Sequence, residues 1–176
     1  MAIDPEKSFI PINIAVLTVS DTRTFETDTS GNILAQRIED AGHTVAERCI
    51  VKDHAVELAL LIEQWIDDPA IDAIVSTGGT GLTGRDVTPE ALSRIEGGRD
   101  IPGFGELFRW LSFKTIGTST VQSRACAIVA RGTYIFALPG SNGAVKDGWD
   151  GILAEQLDAR NRPCNFIELM PRLTEK

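Results

Sequence analysis

Residues 71–91 read IDAIVSTGGTGLTGRDVTPEA, an apolar run that breaks into a glycine-dense loop carrying hydroxyls, Arg85 and Asp86. An uninterrupted β-branched run flanked by breakers marks a strand covered on both faces, so Ile71 to Ser76 is expected to be a buried strand of an α/β sheet. The loop starts at the C-terminal end of that strand. Gly78, Gly79, Gly81 and Gly84 free the backbone to reach positive φ and remove Cβ atoms, so consecutive N–H groups can converge on an anion. Thr77 to Gly81 is thus a phosphate cradle in outline.

Gly79, Gly81 and Gly84 also fit G-x-G-x-x-G, the dinucleotide fingerprint, which needs a helix opening within it and an acidic residue about 20 residues on. Here the next helix opens too late, with Thr88 as expected cap and Pro89 at its first position, and the region around Phe104 reads as helix. A Walker loop fails because no Gly-Lys-Ser/Thr follows.

Working outward, strands and helices alternate. Ile12–Val19 reads as a strand, Ser30 as the cap of a helix over Asn32–Ala41, Thr44–Val51 as a second strand and His54–Asp67 as a helix. After the glycine loop come helices over Pro89–Glu96 and Gly103–Lys114, strands at Ala127–Val129 and Tyr134–Leu138, and a helix over roughly Lys146–Leu157. The rest, residues 158–176, reads as a polar, proline-interrupted tail. This order implies one α/β domain over residues 1–176: a three-layer, doubly wound, mostly parallel sheet with helices on both faces.

With 176 residues and 43% hydrophobic content, the chain is large enough for a full core. It has no apolar run near the ~20 residues of a membrane span, and MAIDPEKSFIP lacks the basic and apolar regions of a signal peptide, so a cytoplasmic protein with no membrane partner is expected. A net charge of −8 argues against nucleic acid as a partner. Cys49, Cys126 and Cys164 are odd in number and widely spaced, and with only His43 and His54 they suggest neither a disulfide framework nor a zinc site.

In a doubly wound fold, ligands collect outside the C-terminal strand ends. That edge would gather Ser20-Asp21-Thr22-Arg23, Lys52-Asp53, the loop from Thr77 to Gly81, and Pro139-Gly140-Ser141-Asn142. Its glycines and hydroxyls suit phosphates while its aspartates repel them, a conflict that Mg²⁺ resolves by bridging carboxylates and phosphate oxygens. Each polar residue also has a plainer reading. Asp53 fits the N-cap of the second helix, Asp86 a pairing with Arg85, Asp21 an Asx-turn and Arg23 a solvated loop position. Trp65 fits core packing, and Trp110 with Phe113 either core or a subunit contact.

At this point the motifs resemble a known family. TVSDTR (18–23), DTSG (28–31), STGGTG (76–81), RDVTPEA (85–91), PGFGE (102–106), LSF followed by IGTSTVQSRA up to Ala125, and LPGS (138–141) are together similar to the molybdenum cofactor biosynthesis family that contains molybdopterin adenylyltransferase. LDARNRPCNF (157–166) looks like its protein B branch. The resemblance implies a nucleotidyltransferase that uses ATP and Mg²⁺ to adenylylate the terminal phosphate of molybdopterin and releases pyrophosphate. It places the catalytic, metal-holding carboxylates on Asp53 and Asp86; given those substrates, the glycine loop Thr77, Gly78, Gly79, Thr80 and Gly81 is expected to hold nucleotide phosphates, and Ser20, Pro139, Gly140 and Ser141, at the ends of the first and last strands, the pterin side. It further implies a homotrimer or homohexamer that passes its product to a downstream molybdate-insertion protein. Because Asp53, Asp86, Arg85 and Thr88-Pro89-Glu90 are all present, an active transferase is favoured over a catalytically silent molybdopterin-binding or carrier protein.

Overall fold

The run that opens the glycine loop is a strand buried at every position, Ala73–Thr77, third of six in the computed structural model, which describes residues 3–175. The strands are β1 (Asn13–Val19), β2 (Thr44–Val51), β3 (Ala73–Thr77), β4 (Arg99–Asp100), β5 (Cys126–Ala130) and β6 (Thr133–Leu138), in spatial order β2-β1-β3-β6-β5-β4. The four strands β2, β1, β3 and β6 run parallel. β5 turns back antiparallel on β6 because the two are joined through Arg131 (φ 49°) and Gly132 (φ 100°), a tight turn of the hand that hairpins favour and too short for a crossover.

Strand alternation divides the interior in two. Ile14 and Val16 of β1, Val75 of β3 and Phe136 of β6 face one core with α1 (Thr29–Asp40), α4 (Pro102–Ile116) and α5 (Asn142–Gly148). Leu17, Ile74 and Ile135 face the other with α2 (Ala55–Ile66) and α3 (Thr88–Leu92). The expected layers, with helices on both faces, are therefore present. α2 shows what holds them: its cap residue His54 makes no side-chain capping bond, yet Leu58, Ile62, Trp65 and Ile66 are buried. A missing cap costs about 1 kcal/mol, and each buried large apolar side chain contributes about 2 kcal/mol, so packing decides.

Several local expectations are corrected. The first helix begins at Thr29 and is capped by Asp28, not Ser30: the fully buried Asp28 carboxylate accepts from the Gly31 amide (2.9 Å) and the Thr18 hydroxyl (2.7 Å) and pairs with Arg48 of β2 (3.0 Å). Charge-assisted bonds to a paired carboxylate outcompete a serine hydroxyl. The helix expected over 146–157 begins at Asn142 under a Ser141 cap and passes through a π turn, Trp149–Leu153, into α6 (Ala154–Gln156), with Trp149, Ile152 and Leu153 buried. α3 stops at Leu92, short of Glu96.

The C-terminal segment is not a free polar tail. Asp158, Ala159, Asn161, Asn165 and Ile167 are buried, and Asn165 caps α7 (Phe166–Leu169) while its amide donates to the Ala159 and Asn161 carbonyls. Phe166 lies 4.8 Å from the Tyr134 ring and 5.4 Å from the Phe136 ring, and Arg162 pairs with Asp4. Composition marked the segment as polar; here the Asn165 amide satisfies two of its buried carbonyls, while Asn161 Nδ2 has no hydrogen-bond partner among the described residues. Among the described residues, no helix is long and apolar enough to cross a membrane.

Candidate active site

Strand order reverses between β1 and β3, since β2 lies on one side of β1 and β3 on the other. A cleft of about 630 Å³ opens there, over the C-terminal ends of β1, β3 and β6. That is ample for a substrate-sized ligand. All eleven residues that the sequence placed in a site, from Ser20 and Asp53 through the glycine loop and Asp86 to Pro139, Gly140 and Ser141, line this one cleft.

The glycines have specific reasons. Gly78 sits at φ +108°, and a Cβ there would stand 2.2 Å from the Val19 carbonyl oxygen of β1. Its amide donates to the Leu138 carbonyl (2.9 Å), and a Cβ on Gly140 would come within 3.2 Å of its Cα, so β1, β3 and β6 converge on a position with no room for a side chain. Gly79, at φ +64°, backs onto the Thr88 hydroxyl and the Asp53 carboxylate, and Gly81 backs onto the Asp86 carboxylate. Contrary to expectation, neither Gly81 nor Gly84 has positive φ, and Gly84 has open space around it.

Thr88 proves to be a strap rather than a cap. Its hydroxyl donates to the Gly78 carbonyl (2.9 Å) and its amide to the Gly79 carbonyl (2.9 Å), while Val87 holds the cap position of α3. The hydroxyl of Thr77 donates to the Pro139 carbonyl (3.2 Å) and ties the β3 and β6 loops together. Thr80 is buried, and its Oγ1 has no hydrogen-bond partner among the described residues. A buried hydroxyl in a cleft wall is a ready contact for a polar ligand.

The two carboxylates differ. Asp53 does not cap α2; its carboxyl is pushed up by burial and by the neighbouring negative charge of Asp86. Asp86 does not pair with Arg85, which bonds Asp21 instead; it accepts from the Thr83 amide (2.9 Å) and hydroxyl (2.6 Å). Burial would raise the Asp86 carboxyl too, but the Thr83 hydroxyl, the Gly81 and Thr83 amides and the positive charge of Arg124 together hold it below the ordinary range. Among the described residues, Asp53 has no ion pair, and no group of three His, Cys, Asp or Glu forms a metal cage.

This imbalance has a measurable consequence. A carboxyl with a raised folded-state pKa destabilises the fold wherever it is charged, so the cost is full at neutral pH and disappears as pH falls through that pKa. Asp53→Asn is expected to raise the melting temperature at pH 7, and the gain should shrink as pH falls into the carboxylate range. Equal melting at every pH would show that Asp53 feels no repulsion.

The remaining residues hold loops. The Ser20 hydroxyl accepts from the Thr22 and Arg23 amides (3.3 Å each), and the Ser141 hydroxyl accepts from Ala144 (3.2 Å), so each keeps its proton to donate. Asp21 forms no Asx-turn; it pairs with Arg85 and accepts a long bond from the Asp53 amide (3.4 Å). Arg23, expected in solvent, braces its loop on the Thr27 carbonyl (2.6 Å) and the Thr29 hydroxyl (3.1 Å). Sequence reasoning missed Thr83 and Arg124 as site residues. Thr83 precedes Asp86 at the spacing of a side-chain-closed turn, a local signal that could have been read.

The same architecture occurs in known proteins. A family model described as a probable molybdopterin binding domain matches residues 15–159. Molybdenum cofactor biosynthesis protein B of Escherichia coli (strain K12) is 51% identical over 158 residues, spanning 90% of this chain and 92% of that protein. A crystal structure of a molybdenum cofactor biosynthesis protein B superposes with TM-score 0.85 at 33% identity, covering 97% of this chain and all of that one. The tungsten cofactor synthesizing protein MoaB from Pyrococcus furiosus superposes at TM-score 0.73 and 30% identity, over 94% and 98% of the two chains. Matched in sequence and in fold over nearly its whole length, the chain belongs to the molybdenum cofactor biosynthesis family.

Proposed function

We propose that this protein adenylylates the terminal phosphate of molybdopterin, using ATP and Mg²⁺ and releasing pyrophosphate. One observation carries the reading: the carboxylates of Asp53 and Asp86 flank the backbone from Gly79 to Gly81 inside the switch-point cleft. Anion-binding amides beside two acidic groups suit a ligand that brings both phosphate and cation. The donor set fits Mg²⁺, a hard cation usually held by one or two carboxylates with phosphate oxygens and water in the other positions. When bound, Mg²⁺ offsets negative charge on the departing pyrophosphate.

The protein's own part is positioning. An oxygen of the pterin phosphate forms a bond to the α-phosphorus of ATP as the bond to the bridging oxygen of the β-phosphate breaks, and that oxygen leaves with pyrophosphate. The nucleophile is already an anion, so no general base is needed and the task is to hold two polyanions in line. Within the Thr77 to Gly81 loop, whose Gly78 amide is committed to the Leu138 carbonyl and whose Gly81 amide supports Asp86, the Gly79 and Thr80 amides and the Thr80 hydroxyl hold nucleotide phosphates; Ser20 and Ser141 donate to the pterin side, beside Pro139 and Gly140. Pyrophosphate release from ATP should require both molybdopterin and Mg²⁺. Release without the pterin, or undiminished release with chelator, would overturn the reading.

The active form is proposed to be a cytoplasmic homotrimer or homohexamer that delivers its product to a molybdate-insertion protein. α4 supports the assembly: Phe104 and Phe108 enter the core, whereas Leu107, Trp110, Phe113 and Ile116 are 42–58% exposed, more apolar surface on one helix than a monomer gains from leaving in water. Light scattering should give three or six subunits. A clean monomer or dimer at micromolar concentration would contradict it.

A further inference from the structure

Arg124 sits behind the glycine loop and takes no part in the mechanism above. Its Nε donates to the Gly81 carbonyl (2.7 Å), its Nη2 to the Asp86 carbonyl (2.7 Å), and its backbone amide to the Thr80 carbonyl (2.9 Å), while its Nη1 bonds the Glu90 carboxylate. One residue therefore gathers three loop carbonyls. Thr88 gathers the two before them, at Gly78 and Gly79.

A trans peptide is planar, with each N–H pointing opposite the carbonyl of the preceding residue. Four consecutive carbonyls, Gly78 to Gly81, are thus held from behind, which turns the amides of Gly79, Thr80, Gly81 and Leu82 the other way. Gly79, Thr80 and Gly81 line the cleft, and the Gly81 amide is among the groups that hold the Asp86 carboxylate charged. Glycine loops cost the most entropy to order. A planar guanidinium with donors in a fixed fork imposes that order in a way that a single ammonium cannot.

We propose that Arg124, oriented by Glu90, is the positioning residue of the phosphate cradle: its guanidinium draws back the Gly81 and Asp86 carbonyls while its backbone amide holds that of Thr80, which aims the loop amides at the nucleotide phosphates and fixes the Asp86 carboxylate beside them, where a cation would sit. This rests on the adenylylation reading and adds the element that gives the cradle its shape. It requires geometry, not merely positive charge near a polyanion.

The test compares wild type, Arg124→Gln and Arg124→Lys by calorimetry, with ATP and Mg²⁺ in one titration and molybdopterin in another, alongside thermal melting. Both variants should bind ATP at least about tenfold more weakly while molybdopterin affinity stays within about twofold, because the pterin side is held by other loops. Wild-type ATP affinity in Arg124→Lys would show that charge alone suffices and overturn the proposal. Equal weakening toward both ligands would reduce Arg124 to general support and overturn it too. If Arg124→Gln does not fold, Arg124→Lys carries the comparison. A wild type that binds no ATP would remove the adenylylation reading itself, and this inference with it, an outcome distinct from a wild type that binds and variants that bind equally well.

Discussion

Asp86→Asn is expected to leave a folded protein that still binds molybdopterin but turns over roughly a hundredfold more slowly or worse. An asparagine keeps one oxygen to accept from the Thr83 amide and hydroxyl, so the turn those bonds close should persist. The change removes charge. A lost contact between metal and phosphate costs several kcal/mol of transition-state stabilisation, and about 1.4 kcal/mol corresponds to one decade in rate. If Asp86 served only to close the Thr83 turn, the substitution would instead cost about 1 kcal/mol of stability and leave the rate nearly intact. Thermal melting beside a pyrophosphate assay separates the two. Near-normal turnover, or failure to fold, would falsify the role of Asp86 as a catalytic carboxylate.

Gly78→Ala is expected to produce the largest loss of stability of any single methyl added to the cleft. A φ of +108° lies where L-residues are strained by about 1–3 kcal/mol, and the new Cβ would stand 2.2 Å from the Val19 carbonyl oxygen, a backbone atom that cannot swing away. Relief requires β1 and β3 to part at the site. A total cost of about 3 kcal/mol or more lowers the melting temperature by roughly 6–12 °C in a domain of this size. Gly84→Ala is the control, since it has open space and no positive φ, and its effect should be near zero. Equal melting of the two variants would show that the convergence of strands at Gly78 is not a constraint.

What could be read from the sequence follows the range over which each signal acts. The β-branched runs of β1, β3 and β6 and the glycines after β3 are local, so the places of these strands along the chain, the sheet class and the composition of the cleft edge are legible from spacing, whereas the short β4 and the antiparallel β5 are not. The capping bond of Asp28 to the Gly31 amide is local, but the Arg48 ion pair that compensates its full burial comes from a different strand and leaves no mark in the nearby sequence, where Ser30 also offers a cap. The plainer reading of Asp86 pairs it with Arg85, its neighbour in sequence, but Arg85 pairs with Asp21 instead. Arg124 lies 43 positions from Gly81, and no periodicity connects them. The segment after Leu157 looked solvated because composition reports polarity and cannot report that Asn165 and its partners satisfy one another inside.

The central claim is the transfer of AMP to the pterin, and following the α-phosphate tests it most directly. Wild-type protein would be incubated with molybdopterin, Mg²⁺ and ATP labelled at the α-phosphate, and the pterin and nucleotide fractions then separated. The expected result is label in the pterin fraction, equimolar with released pyrophosphate and appearing roughly a hundredfold more slowly or worse with Asp86→Asn. Pterin bound to the protein while all label remains in ATP would contradict the claim and identify a silent molybdopterin carrier instead.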